Sequence, residues 1–259
     1  MTPRRIPLAA LAVASLAAFL ATCAGAATAT PAACHAESGA MAATVIELYT
    51  SEGCDSCPPA DRWLGALASR ADVVALGFHV DYWDGPGWKD RFDSPAWSKR
   101  QSAALHDNGA QFAYTPQVVL DGRDGPDWHR SASPPAPARR APVRVALSRE
   151  GDALQLQVTP VPGTPAAELP ARLVAELAVV DDGLQSRVAG GENRGATLHH
   201  DAVVRSLVAL PSWPGTQAHV ERATLSAPTA EPGSHRHWAA VVRDPATGRP
   251  VQAVALRCE

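Results

Sequence analysis

Two cysteines separated by two residues are the strongest chemical signal in the chain. Cys54 and Cys57 enclose Asp55 and Ser56, a spacing that permits a reducible disulfide when a helix starts at the motif. Backbone N–H groups and the helix dipole at that end favour a thiolate, the form that attacks disulfides. The pair predicts thiol–disulfide exchange without an organic cofactor. Cys54, expected at the more exposed position, is the nucleophile, and Cys57 resolves the mixed disulfide.

Other interpretations of this pair stay open. A zinc site needs a second pair of ligands at metal spacing, and the chain has no second pair of cysteines spaced like this one. His199 or His200 together with Cys54 and Cys57 would suit copper, because thiolate and imidazole ligands favour that metal. The pair can also form an inert structural bridge in a non-catalytic binding module.

The N-terminus predicts export. Arg4 and Arg5 precede an apolar run over residues 8–21, which is shorter than the roughly 20 residues that span a bilayer. Small residues follow, so we expect a signal peptide over residues 1–26 and a periplasmic or secreted protein. An uncleaved anchor and a lipid attached to Cys23 are the alternatives.

Export changes the interpretation of the remaining cysteines. Removal of the signal peptide leaves Cys34 and Cys258 beside the pair at 54 and 57, an even number that allows complete pairing in an oxidising compartment. Cys34 and Cys258 are predicted to form a structural bridge between the two ends, and two unpaired thiols are the alternative.

Alternating elements are predicted over the first half of the chain. Apolar and β-branched runs predict strands over 45–49, 73–80 and 117–120, and helical spacing predicts helices over 57–69 and 94–106. The order strand, helix, strand, helix, strand is typical of an α/β sheet with crossover helices.

The composition changes near residue 131. After an N-terminal tether at 27–42 and a first domain at 43–130, a Pro/Ala-rich linker occupies 131–142. Short apolar runs separated by turn residues then predict a β-rich, sandwich-like domain over 143–259. A β-rich extension that packs directly on the first domain is the alternative.

The overall charge points to no polyanionic partner. The 259 residues are 46% hydrophobic and 19% charged, with a net charge of −3. These values are typical of a globular protein and give no electrostatic reason to expect nucleic acid or an anionic membrane. The predicted partner is an envelope protein that carries a disulfide or a dithiol.

Two segments resemble the thioredoxin superfamily. Residues 45–58 are similar to its strand, cysteine pair and helix, and residues 114–122 are similar to its proline turn. The resemblance implies a cis bond before Pro116, with the Thr115 backbone against the cysteine pair. It also implies that Glu47 accepts the proton of Cys57, although a solvated strand carboxylate is an equal alternative.

A closer resemblance is to the DUF1223 family of secreted bacterial proteins. It rests on residues 47–61, 79–84 and 191–195. The resemblance implies a thioredoxin-like fold in a periplasmic or secreted protein. Together with the strand pattern over 143–259, it predicts an α/β thioredoxin-like domain followed by a β-rich, sandwich-like C-terminal domain. It implies no substrate, because the family's function is uncharacterised.

Polar and aromatic side chains follow the second predicted strand. His79, Asp81, Tyr82 and Trp83 are expected at the sheet edge that α/β proteins use for ligands, where they would form the wall of a substrate groove. Core aromatics with capping aspartates are the alternative. The glycine-rich residues 190–195 predict a hairpin loop, or a segment that folds over the groove.

Overall fold

A computed structural model describes residues 1–2, 34–131 and 139–258. The predicted signal peptide, Cys23 and most of the predicted linker lie outside these residues. Within residues 34–131 and 139–258, no helix combines the length and the apolarity that crossing a bilayer requires.

The described residues from 34 onward form two α-helices and a large number of strands. The helices are α1 (Pro58–Ala68) and α2 (Pro95–Asn108). The strands are β1 (Cys34–Glu37), β2 (Thr44–Thr50), β3 (Val73–His79), β4 (Gln117–Leu120), β5 (Arg123–Asp124), β6 (Val143–Glu150), β7 (Ala153–Pro160), β8 (Arg172–Asp182), β9 (Leu184–Arg187), β10 (Thr197–His200), β11 (Val203–Ala209), β12 (Trp213–Pro214), β13 (His219–Thr224), β14 (His235–Arg243) and β15 (Pro250–Leu256).

One sheet of nine strands dominates the fold. Its order is β15-β14-β8-β11-β3-β2-β4-β5, and β12 pairs with β8. Only β2 with β3 and β3 with β11 run parallel, and the other neighbours are antiparallel. The sheet therefore takes strands from both sides of the predicted linker.

A second sheet of four strands, in the order β1-β6-β7-β13, packs on the main sheet. Alternate residues of β6 and β7 are buried, as expected for a sheet with one covered face. The shared core includes Val145, Leu147, Leu156, Leu177, Ala240, Val242 and Leu256. This packing of sheet on sheet makes the fold sandwich-like.

The predicted fold class is wrong. Of the described residues, 43% lie in strands and 14% in helices, so this part of the chain is a β-rich, sandwich-like protein and not an α/β thioredoxin-like domain. The elements predicted over residues 45–120 do form, but their sheet continues through β11, β8, β14 and β15. Tertiary pairing, which local pattern does not encode, decided the architecture.

The bridge between Cys34 and Cys258 is confirmed. The two Cα atoms lie 5.6 Å apart across a sequence separation of 224 residues. The disulfide joins the first residue of β1 to the segment that follows β15, so it holds the two ends of residues 34–258 together.

Candidate functional site

The cysteine pair closes a loop between β2 and α1. Cys54 and Cys57 are joined by a disulfide with 5.4 Å between their Cα atoms. Cys57 is the N-cap residue of α1, and proline follows in the first turn, where the missing N–H costs no helical hydrogen bond. We call residues 51–57 the disulfide loop.

Both sulfur-bearing residues are buried, so the predicted exposure of Cys54 is wrong. Cys54 is 1% exposed and Cys57 is 0% exposed. The physical reason is a second loop that lies on the disulfide loop. Residues 190–193, which we call the strap, belong to the connection between β9 and β10.

Hydrogen bonds fasten the strap to the disulfide loop. Asn193 Nδ2 donates to the carbonyl oxygens of Glu52 at 3.0 Å and Cys54 at 2.7 Å. The Glu192 N–H donates to the Gly53 carbonyl at 3.0 Å, and the Asp55 N–H donates to Glu192 Oε2 at 3.0 Å. The predicted hairpin loop is thus also a cover over the cysteine pair.

Glycines allow this close approach of two backbones. A Cβ atom on Gly191 would lie 2.7 Å from the Gly53 Cα, and one on Gly190 would lie 2.5 Å from Trp88 Cγ. Gly191 also has φ of +66°, a conformation that favours glycine. A side chain at Gly191 would push the strap away from the disulfide loop, and a side chain at Gly190 would clash with Trp88.

The proline turn lies beside the disulfide loop. The Thr115–Pro116 peptide bond is cis, as the sequence predicts. It directly precedes Gln117, which pairs with Tyr49 near the end of β2. The turn therefore lies beside the point where β2 ends and the disulfide loop begins.

Two of the predicted groove residues stay near the surface. Trp83 Nε1 donates to Thr115 Oγ1 at 2.7 Å, and a Cβ on Gly53 would lie 3.0 Å from Trp83 Cβ. Trp83 thus links the proline turn to the disulfide loop. Tyr82 is 48% exposed, and its hydroxyl donates to Gln101 Oε1 at 3.1 Å.

The other two predicted groove residues serve different purposes. Asp81 contacts α2, where the Ser98 hydroxyl donates to its carboxylate. His79 is only 2% exposed, and its Nδ1 lies 2.8 Å from Asp90 Oδ2. His79 is therefore a buried residue rather than part of a groove wall.

The Asp90 carboxylate connects His79 to the disulfide loop. It accepts the Glu52 N–H at 2.8 Å and the Phe92 N–H at 2.9 Å. Burial alone would raise the pKa of Asp90, but the charge of His79 and these hydrogen bonds lower it to about 2. Burial alone would lower the pKa of His79, but the Asp90 carboxylate holds it above the ordinary value. Both groups are therefore charged over a wide pH range.

Two more buried titratable side chains, His200 and Asp61, lie near the pair of His79 and Asp90. His200 Nε2 lies 3.3 Å from Glu52 Oε1, and His200 Nδ1 lies 4.0 Å from Asp61 Oδ2. Asp61 lies one helical turn after Cys57, and its N–H donates to the Cys57 carbonyl at 3.1 Å. Burial raises the pKa of Asp61.

Glu47 is not beside the cysteine pair. Its Oε1 lies 2.7 Å from Arg100 Nη2 and 3.1 Å from Arg243 Nη2. Burial alone would raise the pKa of Glu47, but the two guanidinium groups lower it. A carboxylate held by two arginines is a poor acceptor for the Cys57 proton, so the predicted role of Glu47 is not supported.

Sequence reasoning missed several residues around the site. Asp90 gave no motif, Asp61 and Asn193 were part of the family resemblance without an assigned role, and His200 was assigned only as a possible copper ligand. Asp61 did leave one signal, because it lies four residues after Cys57 on the buried face of α1. Among residues 34–131 and 139–258, no three His, Cys, Asp or Glu side chains are arranged to hold a metal ion.

The fold and the site define a β-rich, sandwich-like protein with a covered disulfide loop at the start of its first helix. The chain belongs to the DUF1223 family, described as "Protein of unknown function (DUF1223)", whose model matches residues 45–243. The matched region includes the disulfide loop, the proline turn and the strap.

Two solved structures are similar to the chain. The crystal structure of protein AGR_C_4864 from Agrobacterium tumefaciens is 25% identical with a TM-score of 0.62, covering 83% of this chain and 93% of that chain. HBP35 of Porphyromonas gingivalis is 15% identical with a TM-score of 0.54, covering 84% of this chain and 76% of that chain. This second likeness concerns the fold alone. No curated protein matches the chain.

Proposed function

We propose that the protein is an exported thiol–disulfide exchange protein that works through Cys54 and Cys57. The observation that carries the proposal is the small span of this disulfide. It joins residues 3 apart, whereas the bridge from Cys34 to Cys258 joins residues 224 apart. A disulfide stabilises a fold mainly by closing a long loop, so stability gives little reason for a bridge at 54 and 57.

The surroundings of the pair support the same chemistry. Cys57 is the N-cap residue of α1, where the helix dipole favours a thiolate once the bridge is reduced. Trp83 lies beside Gly53 of the same loop, and its ring nitrogen donates to Thr115 in the turn at Pro116.

The exchange needs no cofactor, because the partner supplies or receives both electrons. In the reduced protein, the Cys54 thiolate attacks one sulfur of the partner's disulfide, and the partner's other sulfur leaves as a thiolate that takes up a proton. Cys57 loses its proton and attacks the Cys54 sulfur, which releases the second partner thiolate and restores the internal bridge. The reverse sequence oxidises a partner dithiol.

The proposed setting is the periplasm or the cell exterior, and the proposed partner is an envelope protein with a disulfide or a dithiol. The predicted signal peptide and the bridge between Cys34 and Cys258 support this setting, because such bridges persist in oxidising compartments.

A trapping experiment with a defined peptide disulfide tests the proposal. Reduced Cys57→Ser protein is expected to accumulate a mixed disulfide between Cys54 and the peptide, since no second thiol resolves it. Reduced wild-type protein should release two peptide thiols without an adduct, and Cys54→Ser should form no adduct at Cys57. Intact-protein mass measurement after acid quenching detects each species. Absence of an adduct in folded Cys57→Ser protein would contradict the proposal.

One observation favours a second candidate function. Burial of both cysteines would suit a binding module in which the bridge is structural. That function predicts a bridge that dithiothreitol does not open while the protein stays folded. The exchange function predicts that dithiothreitol opens the bridge while the β structure is retained. Circular dichroism measures that β structure.

A further inference from the structure

The strap satisfies a continuous row of backbone groups on the disulfide loop. The carbonyl oxygens of Glu52, Gly53 and Cys54 and the N–H of Asp55 all bond to strap atoms. These groups belong to four consecutive residues that contain the attacking sulfur, and none of these bonds involves the sulfur itself.

Polar groups at the protein surface hold the strap to the disulfide loop. Glu192 is exposed and Asn193 is half-buried, so water can replace their hydrogen bonds when the strap lifts. Each such bond contributes only modestly to stability, because in folding it replaces a hydrogen bond to water. The β9–β10 hairpin that carries the strap is held separately, by its own ladder from Leu184–His200 to Arg187–Thr197.

We propose, on the basis of the exchange function above, that the strap holds the place of a partner polypeptide and that the partner's backbone replaces it beside Cys54. The strap is then a displaceable cover that makes the cysteine pair selective for polypeptides over small thiols.

The pattern of groups specifies the class of partner. Lifting the strap exposes three consecutive acceptors and one donor, and a partner that then excludes water from them must supply matching hydrogen bonds. A polypeptide segment offers N–H and C=O groups at matching intervals, and main-chain hydrogen bonds are a common source of affinity in peptide recognition. A small thiol offers too few groups to replace the strap.

The reaction on the opened site is balanced. A thiolate of the partner polypeptide attacks the Cys54 sulfur, the bond between Cys54 and Cys57 breaks, and Cys57 leaves as a thiolate that takes up a proton. A second partner thiolate then attacks the partner's sulfur in the mixed disulfide, which leaves the partner oxidised and the protein reduced.

The first test measures how fast dithiothreitol opens the internal bridge of the folded protein. Asn193→Ala removes two of the strap's bonds and should raise the rate about tenfold. Arg194→Ala is the matched control, because exposed Arg194 follows the strap and its side chain makes no hydrogen bond to the disulfide loop among the described residues. This control should match the wild type. An unchanged rate in Asn193→Ala would overturn the proposal.

The second test compares two monothiols at equal thiolate concentration. An unstructured peptide with one cysteine should open the wild-type bridge faster than N-acetylcysteine, with alkylation of the released Cys57 as the readout. Asn193→Ala should reduce the ratio of the two rates, because the loosened strap then no longer hinders N-acetylcysteine. Equal rates in the wild type would overturn the proposed partner class.

Failure of the exchange function has a different signature. If it fails, the peptide-disulfide trap on Cys57→Ser gives no adduct, while Asn193→Ala still speeds reduction by dithiothreitol. If only the strap inference fails, the trap forms its adduct and Asn193→Ala reacts with dithiothreitol at the wild-type rate.

Discussion

Replacement of Glu176 by alanine is expected to lower the free energy of unfolding by about 3–5 kcal/mol, the usual cost of removing one partner from a buried ion pair. Glu176 Oε1 lies 2.5 Å from Arg100 Nη1, and its Oε2 lies 2.8 Å from Arg243 Nε. Both guanidinium groups also contact Glu47. Without Glu176, buried Arg243 and half-buried Arg100 would share one carboxylate.

This four-residue ion cluster joins distant parts of the chain. Glu176 lies on β8, Arg243 on β14, Arg100 on α2 and Glu47 on β2. The cluster therefore fixes α2 against strands from both halves of the main sheet. Its loss should destabilise the whole fold rather than one loop.

The effect of Glu176 depends on pH in a defined direction. Burial alone would raise the pKa of Glu176, but the charges of Arg100 and Arg243 lower it to about 2 from an ordinary value of 4.5. A lowered pKa in the folded state means that the stabilisation is present above 4.5 and is lost as the pH falls toward 2.

Urea unfolding followed by circular dichroism measures the change. Glu168→Ala is the control, because Glu168 is exposed, and we expect it to change the free energy of unfolding by less than about 0.5 kcal/mol. If Glu176→Ala unfolds at the same urea concentration as the wild type, the cluster does not stabilise the fold as the geometry implies.

The sequence predicted individual elements better than their assembly. Helix α1 was expected over 57–69 and occupies Pro58–Ala68, and β3 was expected over 73–80 and occupies Val73–His79. Apolar spacing is a local property, so it indicates such elements well. The pairing of β3 with β11, at Gly77 and Val203, depends on contacts between residues far apart in sequence. No local pattern shows it, so the predicted architecture was wrong.

The same distinction applies to the site. The spacing of Cys54 and Cys57 predicts a disulfide, and the resemblance implies a cis bond before Pro116; both are present. The strap residue Asn193, whose amide donates to the Cys54 carbonyl, lies 139 residues later in the sequence. Local motifs therefore predicted the cysteine pair but not the loop that lies on it.

Replacement of Asp90 by asparagine is the second change with a large expected effect. It should lower the free energy of unfolding by about 3–5 kcal/mol, because it leaves His79 without its buried carboxylate partner. His79 is 2% exposed and Asp90 is 1% exposed, so water does not screen the lost interaction.

The difference in stability between wild type and Asp90→Asn should be bell-shaped in pH. The pKa of Asp90 is lowered to about 2 from 3.8, so its contribution is lost as the pH falls from 3.8 toward 2. The pKa of His79 is raised above 6.5, so its contribution is complete below 6.5 and is lost as the pH rises through the raised pKa. The difference should therefore be greatest between pH 3.8 and pH 6.5.

Other charged groups face the pair, but they are common to both proteins. Glu52 and Asp61 raise the pKa of His79, and the ring of His200 lies 5.0 Å from the ring of His79. Subtracting the two stability curves removes most of their contribution, because only the side chain at 90 differs. Urea unfolding at a series of pH values supplies both curves.

An exposed histidine–aspartate pair provides the matched control. His106 Nδ1 lies 3.2 Å from Asp107 Oδ1, with side chains 99% and 50% exposed, so Asp107→Asn should change stability by less than about 1 kcal/mol. A flat difference curve for Asp90→Asn would show that His79 and Asp90 do not form a charged pair. Asp90 also accepts the Glu52 N–H in the disulfide loop. If His79 and Asp90 form a charged pair, Asp90→Asn should therefore also speed hydrogen exchange at the Glu52 amide.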